Sequence, residues 1–481
     1  MRETRVPPPA RVCSPLNIPL SRRRPSPHTQ VTIFTPHHDQ ARCFPETTSG
    51  AFTVTVAGAW LPRTLAGRGA ALCALARCAA AAWALARDGA WDAIIADQVA
   101  GAVPALHAFT AWTAPVLFYC HFPDLLLAPP RGVHAPGLPA RLGAALRSLY
   151  RAPLDALEQA ATGAAEAVLV NSRFTAGVFA DTFTRLAGRG VEPGVLYPAA
   201  AVPTEAALAA AAAGWEGVLP PGVTGLIKKK RGGGGSTSPP SPPPTVFVSI
   251  NRFERKKDIG LAVRALAVVV RGVNKKQTNR GGGSKKTTTP AAPSNPVLIL
   301  AGGFDPRLPE NVDHLQELQA LAAREGVADR VAFLPSFTDA QRGALLAVAA
   351  AILYTPSGEH FGIVPVEAGA AGVPVIAVAS GGPLESVVDG VTGWLVEAEP
   401  AAFAGAMREV VERGAPAVRS SIGAAARAHV IAHFSRPAFG AALEAEVEKM
   451  VDAHAGRGVE KVEEEEARRP PVRARRRVKV K

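Results

Sequence analysis

At 481 residues the chain is long enough for two or more domains with cores of their own, and its 48% hydrophobic content excludes disorder throughout. Its net charge of +13 is concentrated in four low-complexity segments, which together carry +23 and leave −10 for the rest of the chain: residues 1–28, 228–231, 271–286 and 468–481. The folded part is therefore acidic, which argues against a basic fold that grips nucleic acid, and we expect no nucleic-acid partner.

The first half of the chain alternates predicted strands with predicted helices. Residues 1–28 are rich in Pro and Arg, and we expect them to be disordered. Beyond them, short runs of β-branched and apolar residues predict strands at residues 31–35, 52–56, 92–97, 115–119, 167–171 and 195–198. Helical sequence separates these strands, so residues 29–198 are predicted to form a parallel, doubly wound sheet.

The second half repeats this pattern after a change of composition. Residues 199–245 are Ala-rich and then Gly-, Pro- and Ser-rich, which predicts a linker. A second parallel domain is predicted over residues 246–440, with a disordered insertion at 274–296. Its strands are predicted at residues 246–250, 297–301, 331–334, 352–355 and 375–379. Residues 441–481 are predicted to be the end of a helix and a charged tail that is unstructured after residue 454.

Cysteines and apolar runs give weaker indications about the compartment. The five cysteines are odd in number and lack metal-binding spacing, so free thiols in a reducing compartment are expected. Residues 1–28 have no apolar core typical of a secretory signal, although a transit peptide is open because acids are scarce. The longest apolar run, residues 69–86, is interrupted by Arg77. A core helix of the first domain explains this run better than a membrane span, and it is also the leading candidate for membrane contact.

The most informative stretch is residues 358–367, GEHFGIVPVE, in which two glutamates are separated by seven residues. An apolar strand is predicted at 350–354, Ser357 offers a helix cap, and a helix is predicted at 365–371. A loop between the carboxyl end of a strand and the amino end of a helix favours a phosphate ligand. Taken alone, two glutamates at this spacing are better explained as a solvated loop residue and a helix residue that form ordinary surface ion pairs.

Together with SGGPLESVVDGVTGWLVE at residues 380–397, this stretch resembles the E-x7-E signature of family 4 of the retaining glycosyltransferases with the GT-B fold. Within that family it is most similar to the α-1,3/1,6-mannosyltransferases of the dolichol pathway, and the resemblance extends over about residues 31–434. It implies an α/β architecture of two Rossmann-like domains with doubly wound parallel sheets that face each other across a cleft. Family members begin with a strand and a Gly-rich loop, and the first domain here is expected to lack both.

The resemblance also implies roles for charged residues in the second domain. Arg252 and Lys257, within NRFERKK, match the cations that grip the donor pyrophosphate; an ordinary basic helix start is the alternative. Glu359 is expected near the mannose hydroxyls and the reacting centre, and Glu367 on the ribose hydroxyls, because a carboxylate accepts hydroxyl hydrogen bonds well.

Further site residues follow from the same resemblance. His121, in FYCHFPDLLL, is expected to contact the transferred sugar and assist catalysis, whereas a lone His at a strand end is more often a structural hydrogen-bonder. Ser172 in VNSRFT is assigned to capping the helix that follows it. Two further groups are expected to meet the nucleotide, although the glycines among them also suit a tight turn: the backbone N–H groups of Phe361, Gly362 and Ile363, and Gly302 with Gly303.

By resemblance, the activity is transfer of mannose from GDP-mannose to Man1GlcNAc2-PP-dolichol and then to Man2GlcNAc2-PP-dolichol, in α-1,3 and α-1,6 linkage. No metal or other cofactor is expected, since two cations can stabilise a leaving diphosphate. The cytoplasmic face of the endoplasmic reticulum membrane is the implied location, with the membrane surface and other dolichol-pathway mannosyltransferases as potential partners. A family 4 enzyme with another sugar nucleotide, or an inactive scaffold derived from the enzyme, remains an alternative.

Overall fold

A computed structural model describes residues 10–13, 29–40, 43, 45–65, 69–127, 138–228, 243–278 and 295–468. The chain forms two compact units. The first contains the described residues of Met1–Val170, Val178–Leu196 and Gly440–Lys481, and the second those of Asn171–Gly177 and Tyr197–Phe439. The chain therefore passes between the units more than once.

The first unit contains a seven-stranded, all-parallel sheet in the order β3-β2-β1-β4-β5-β6-β7. Its strands are β1 (Ala10–Cys13), β2 (Thr29–Thr35), β3 (Thr53–Val56), β4 (Ala93–Asp97), β5 (Val116–Cys120), β6 (Ala167–Val170) and β7 (Gly194–Val195). The helices of this half are α1 (Pro45–Thr48), α2 (Ala70–Asp88), α3 (Ala102–Thr110), α4 (Asp124–Leu127), α5 (Leu138–Thr162), α6 (Arg173–Thr182) and α7 (Thr184–Ala187), and α6 begins in the second unit. The predicted parallel sheet is confirmed.

Two expectations are wrong: that the first sheet lacks its opening strand, and that residues 1–28 are disordered throughout. Residues 10–13 form β1, which lies between β2 and β4 and pairs with both, for example through Val12 with Val31 and with Ala93. The strand is hard to recognise because it has only four residues, includes an Arg and follows three prolines. Pairing on both edges, which composition does not reveal, stabilises it. The expected Gly-rich loop falls on residues 14–28, which lie outside the described residues and contain no glycine.

Helix α2 packs on the first sheet with one side and is exposed on the other. Cys73, Ala82 and Leu85 are buried, whereas Leu72 and Trp83 are about half exposed. In the part of the chain that the structure describes, α2 is the one helix long and apolar enough to cross a membrane by length and composition.

Two thiols of the first unit, Cys78 and Cys120, stay protonated near neutral pH. Cys43, Cys73, Cys78 and Cys120 are free. Burial raises the pKa of Cys78 to about 11 and that of Cys120 to about 12, which disfavours the reactive thiolate.

The second unit contains a six-stranded parallel sheet in the order β10-β9-β8-β11-β12-β13. Its strands are β8 (Thr245–Ile250), β9 (Pro296–Gly302), β10 (Val331–Pro335), β11 (Ala351–Tyr354), β12 (Val375–Val378) and β13 (Gly393–Val396). The remaining helices are α8 (Glu205–Val218), α9 (Pro221–Lys228), α10 (Ile259–Thr278), α11 (Pro309–Arg324), α12 (Asp339–Val348), α13 (Ile363–Ala370), α14 (Pro383–Ser386), α15 (Pro400–Arg413), α16 (Ala415–Val418), α17 (Ala424–His433) and α18 (Arg436–Arg468).

Strand β8 lies in the interior of the sheet, and helices cover the sheet on both faces. All six of its residues are buried, and they alternate between two cores. Phe247 packs with helices α10 and α15, whereas Val246, Val248 and Ile250 pack in the core that α12 covers. Near-continuous apolar strands are typical of a parallel sheet that is covered on both sides, which is why these strands could be predicted from sequence.

Helices replace some of the irregular structure predicted from composition. Within the predicted linker, residues 205–218 and 221–228 form α8 and α9; Thr204 caps the first of these, since its hydroxyl accepts a hydrogen bond from the N–H of Ala207. Helix α18 continues to Arg468, so the prediction of an unstructured tail after residue 454 is wrong up to that point. Alanine and glutamate have high helix propensity. The Ala-rich segment therefore forms a helix despite its low complexity, and the Glu-rich end of α18 does so despite its charge. The insertion predicted to be disordered at 274–296 is ordered at both ends, because residues 274–278 belong to α10 and residue 296 begins β9. Residues 229–242, 279–294 and 469–481 lie outside the described residues.

Arg419 ties together the ends of two helices beneath the second sheet. It lies in a single π-helical turn, and its guanidinium donates to the carbonyls of Leu346, Ala347 and Ala349 at 2.9–3.2 Å and to that of Ala371 at 3.3 Å. These carbonyls lie at the carboxyl ends of α12 and α13, where backbone acceptors have no partner within the helix. One partly buried cation therefore satisfies both ends.

We predict that Arg419→Met lowers the thermal midpoint of unfolding by roughly 5 °C or more, because several buried carbonyls lose their donor. Differential scanning calorimetry of the full chain measures this. Arg413→Met is the matched control: Arg413 is exposed, and its contacts with Glu409 and with the hydroxyl of Ser421 are at the surface, so its loss should barely move the midpoint. Equal shifts for the two variants would contradict this account of Arg419.

Candidate active site

The candidate site lies at the carboxyl ends of the strands in the second unit. β8 is followed along the chain by its neighbour β9, whereas its other neighbour, β11, comes much later. The strand order therefore reverses beside β8, and the segments that follow β8 and β11 leave the sheet side by side. Open α/β sheets bind ligands at such a switch point.

A salt bridge joins these two segments. Lys257 lies in a 3₁₀ turn after β8, and its Nζ is 2.5 Å from Oε1 of Glu359, in the loop after β11. The Lys257 side chain is only 10% exposed and that of Glu359 26%. The hydroxyl of Thr355 also donates to the backbone carbonyl of Lys257 at 2.7 Å. One predicted pyrophosphate cation and one predicted catalytic carboxylate are thus in direct contact.

Arg252 lies on the open side of the same turn. Its side chain is 61% exposed, and Nη1 is 3.0 Å from Glu254. Lys256 lies 3.3 Å from the other oxygen of that carboxylate. The Arg252 guanidinium is exposed, whereas Glu254 is only 15% exposed and keeps Lys256 as a second partner, so an anion entering the site could draw Arg252 away without leaving that carboxylate unpaired.

Backbone donors follow Glu359 in the 355–362 loop. Among the described residues, the N–H groups of Phe361, Gly362 and Ile363 donate to no acceptor. Gly362 has φ +77°, in the left-handed region that favours glycine, and α13 begins directly after it. The helix dipole and the unpaired N–H groups favour an anion here, as the sequence predicts. The prediction that Ser357 caps this helix is wrong, because the helix begins six residues beyond it, at Ile363, with Gly362 at the N-cap and no side-chain cap.

Tyr354 supports this loop from below. Its ring is buried, its hydroxyl is 3.4 Å from Oε2 of Glu359, and a Cβ added to Gly362 would lie 2.9 Å from that hydroxyl. Burial, and secondarily the charge of Glu359, raises the pKa of Tyr354, so its hydroxyl remains a donor. It therefore helps to orient Glu359.

The second glutamate of the pattern has a different partner. Glu367 lies on α13, and its Oε1 is 2.5 Å from Nη1 of Arg342 on α12. Burial raises the pKa of Glu367, and the Arg342 guanidinium opposes that effect. Both glutamates of the E-x7-E pattern are thus paired with cations from other elements.

Four glycines allow the loops of the site to approach one another. A Cβ on Gly302 would lie 1.6 Å from the carbonyl oxygen of Asn251, and one on Gly303 would lie 3.2 Å from Cγ of Arg252. On the other side, a Cβ on Gly381 would lie 2.4 Å from the carbonyl oxygen of Glu359, and one on Gly382 would lie 2.0 Å from that of Phe361. Gly302 therefore lets two backbone segments meet, and Gly303 leaves room for the Arg252 side chain; the sequence had left open whether these glycines admit a nucleotide or make a turn.

The side chain of Phe361 anchors the loop in an aromatic cluster. It is buried, and its ring centroid lies 5.7 Å from those of Tyr197 and Phe434. The side chain points into the core, which leaves the backbone N–H of Phe361 as the group that can meet a ligand.

Ser172 holds the loop from outside it, and Glu385 holds the segment that follows Ser172; neither was predicted in that capacity. Ser172 accepts a hydrogen bond from the N–H of Thr175 at 2.9 Å, which confirms it as a helix cap, and it also donates to the carbonyl of His360. Glu385 accepts from the N–H groups of Arg173 and Phe174 at 2.8 and 2.9 Å. The VNSRFT segment is therefore fixed to the 355–362 loop and to α14 within the second unit.

In the first unit, His121 follows β5 and is held by Asp97, which ends the neighbouring strand β4. Nε2 of His121 donates to Oδ1 of Asp97 at 2.8 Å, since a carboxylate can only accept. The ring also packs edge-on against Tyr119 at 4.8 Å. Sequence reasoning missed Asp97, although its position at the end of a strand adjacent to that of His121 was a usable signal.

Of the ten residues predicted for the site, nine lie in the second unit, around the ends of β8, β9 and β11. Lys257 contacts Glu359, Gly303 packs on Arg252, and the 355–362 loop leads into the helix that carries Glu367. The tenth residue, His121, belongs to the first unit.

Residues 237–429 match the family model of glycosyl transferases group 1. The alpha-1,3/1,6-mannosyltransferase ALG2 of Mus musculus is 38% identical over 88% of this chain and 89% of its own length. The corresponding protein of Homo sapiens is 38% identical over 85% and 86%. That of Saccharomyces cerevisiae is 32% identical over 88% and 79%.

Solved structures with much lower identity share the fold. Sucrose-phosphate synthase from Thermosynechococcus elongatus has a TM-score of 0.60 and 19% identity, covering 93% of this chain and 100% of its own. Anabaena HepE in complex with UDP has a TM-score of 0.58 and 17% identity, covering 92% and 100%. These similarities confirm the GT-B fold that the sequence resemblance implies.

We predict that Gly382→Ala weakens equilibrium binding of GDP on the order of tenfold or more, because the new methyl group displaces the 355–362 loop. Gly382 has φ −56°, so backbone strain does not contribute. Gly405→Ala in α15 is the control, since nothing lies within 4 Å of its Cβ position. Calorimetric titration of the full chain checks both; wild-type affinity in Gly382→Ala would refute the contact.

Proposed function

The chain belongs to the family of alpha-1,3/1,6-mannosyltransferases named ALG2, and we propose that it transfers mannose from GDP-mannose to a lipid-linked oligosaccharide. The acceptors in this proposal are Man1GlcNAc2-PP-dolichol and then Man2GlcNAc2-PP-dolichol, elongated in α-1,3 and then α-1,6 linkage. The observation that carries the proposal is the contact between Lys257 and Glu359 beside unpaired backbone N–H groups.

Charge stabilisation is the chemistry that this arrangement suits. When the bond between mannose C1 and the β-phosphate oxygen breaks, negative charge develops on the departing GDP. Lys257 and the N–H groups of Phe361 to Ile363 can receive that charge without reorganising, because the fold already holds them in place, and Arg252 joins them once the diphosphate draws it from Glu254. Glu359, held by Lys257 and Tyr354, would accept hydrogen bonds from the mannose hydroxyls.

Retention of configuration follows if the acceptor attacks from the side of the leaving group. The acceptor hydroxyl oxygen forms a bond to C1 as the bond to GDP breaks, and its proton passes to an oxygen of the departing β-phosphate. Glu367 would bind the ribose hydroxyls of the donor. His121, oriented by Asp97, would contact the transferred mannose.

Place and partners complete the proposal. We assign the enzyme to the cytoplasmic face of the endoplasmic reticulum, where its acceptor lipid would be accessible, and we propose the exposed face of α2 with Leu72 and Trp83 as the membrane contact. Other mannosyltransferases of the dolichol pathway are proposed partners, and no nucleic acid is involved.

Transfer is expected to need no metal ion, because two side-chain cations and a helix N-terminus face the diphosphate. We predict that the rate in excess EDTA stays within about twofold of the rate in Mg²⁺. Removal of a metal that stabilises the transition state by several kcal/mol would lower the rate much further. The assay uses the purified chain, GDP-mannose and the acceptor lipid. Loss of activity in EDTA, with recovery on adding Mg²⁺ or Mn²⁺, would show that the cations are insufficient.

Lys257→Ala and Glu359→Ala are each predicted to reduce the rate of mannose transfer on the order of 10²-fold or more. Lys449→Ala removes an exposed Lys on α18 and serves as the control, with an unchanged rate. The readout is glycan length on the acceptor lipid, measured with GDP-mannose and with UDP-glucose. Near-normal transfer by both site variants would dismiss the assignment, and no elongation by wild type with either donor would favour a non-catalytic scaffold.

A further inference from the structure

Arg342 forms an ion pair with Glu367, and the sequence offered no function for Arg342. Its Nη1 lies 2.5 Å from Oε1 of Glu367, and its guanidinium carbon is 5.5 Å from the centre of the Phe337 ring. Its Nε is buried and has no acceptor among the described residues. The contact with Glu367 is therefore what orients the guanidinium.

The position of Arg342 is fixed by the start of α12. Thr338 and Gln341 form a capping box, in which the N–H of each residue donates to the side chain of the other. The amide of Gln341 also donates to the carbonyl of Val218 at 3.3 Å, at the end of α8. The first turn of α12, from which Arg342 projects, is thereby anchored at both the backbone and the side chains.

Glu367 needs a cation to be useful as an acceptor. Burial raises its pKa, the nearby charge of Asp339 acts in the same direction, and Arg342 acts against both. A carboxylate has about four lone-pair positions, so the pair with Arg342 leaves several free for hydroxyl groups. An ionised, oriented carboxylate suits the two neighbouring hydroxyls of a ribose.

We propose that Arg342 is a positioning residue of the nucleotide site, which holds the Glu367 carboxylate in the orientation that accepts the ribose hydroxyls of the donor. This inference rests on the proposed function, which assigns the ribose to Glu367. It adds that the affinity for the donor depends on a cation contributed by a different helix. Arg342 acts through Glu367 and does not itself contact the reacting atoms.

The test compares two ligands on four proteins. GDP and 2′,3′-dideoxy-GDP are titrated calorimetrically into the full wild-type chain, Arg342→Met, Glu367→Gln and the double variant. We expect Arg342→Met to weaken GDP binding roughly tenfold or more, the loss of one charged hydrogen-bond partner, and to leave dideoxy-GDP binding almost unchanged. In the Glu367→Gln background the same change should cost nothing further, because the partner through which Arg342 acts is gone.

Conservative and control variants separate positioning from folding. Arg342→Lys keeps the charge and should recover part of the lost GDP affinity, whereas Arg413→Met, on the exposed pair in α15, should leave binding unchanged. Equal losses for GDP and dideoxy-GDP would overturn the proposal, because Arg342 would then contact another part of the ligand or merely support the fold. Unchanged GDP binding in Arg342→Met would also overturn it.

Failure of the proposed function gives a different result. If the wild-type chain binds UDP in place of GDP, the proposed donor is wrong, and the same comparison with UDP and its dideoxy form still tests Arg342. Binding of neither nucleotide by the wild-type chain would overturn both proposals.

Discussion

The salt bridge between Lys257 and Glu359 joins two loops that leave neighbouring strands of the same sheet. Both side chains are largely shielded from water, so each would be costly to leave unpaired. The pair therefore fixes the turn after β8 and the loop after β11 relative to each other, and the hydroxyl of Thr355 reinforces the connection at the backbone. The unpaired N–H groups that begin α13 follow two residues later in the same loop. Their direction depends on the loop that this salt bridge holds.

Several contacts around this salt bridge also fix the two loops relative to each other. Gly302 and Gly382 lie where any side chain would collide with a backbone carbonyl, so they set how closely the loops approach. Phe361 anchors the loop in a core, and Ser172 holds the carbonyl of His360. Glycosyl transfer needs hydrogen-bond donors that already point at the negative charge that develops in the transition state. A loop that must rearrange first would stabilise that charge less. The proposed function of the loop therefore depends on its rigidity.

The sheets and the position of the loop could be predicted because parallel strands that are buried on both faces have continuous apolar sequences, as in β8 and β9. The E-x7-E pattern was recognisable because its residues are close in sequence. The partners of its glutamates were harder to predict from sequence. Lys257 followed from the resemblance, whereas Arg342 lies 25 residues before Glu367 in an ordinary amphipathic helix. The contact of Ser172 with His360 spans 188 residues and has no local signal. Strand β1 was missed because its stability comes from pairing on both sides and not from its four residues.

The central claim is that fixed cations and amide hydrogens in the second unit bind the diphosphate of the donor. Calorimetric titration of the full chain with GDP and with GMP tests this most directly, because the two ligands differ only in the phosphate that those groups would meet. The account predicts that GDP binds at least roughly tenfold more tightly than GMP, the contribution of about one charged hydrogen bond, with a smaller difference in high salt. Equal affinities for GDP and GMP would contradict it.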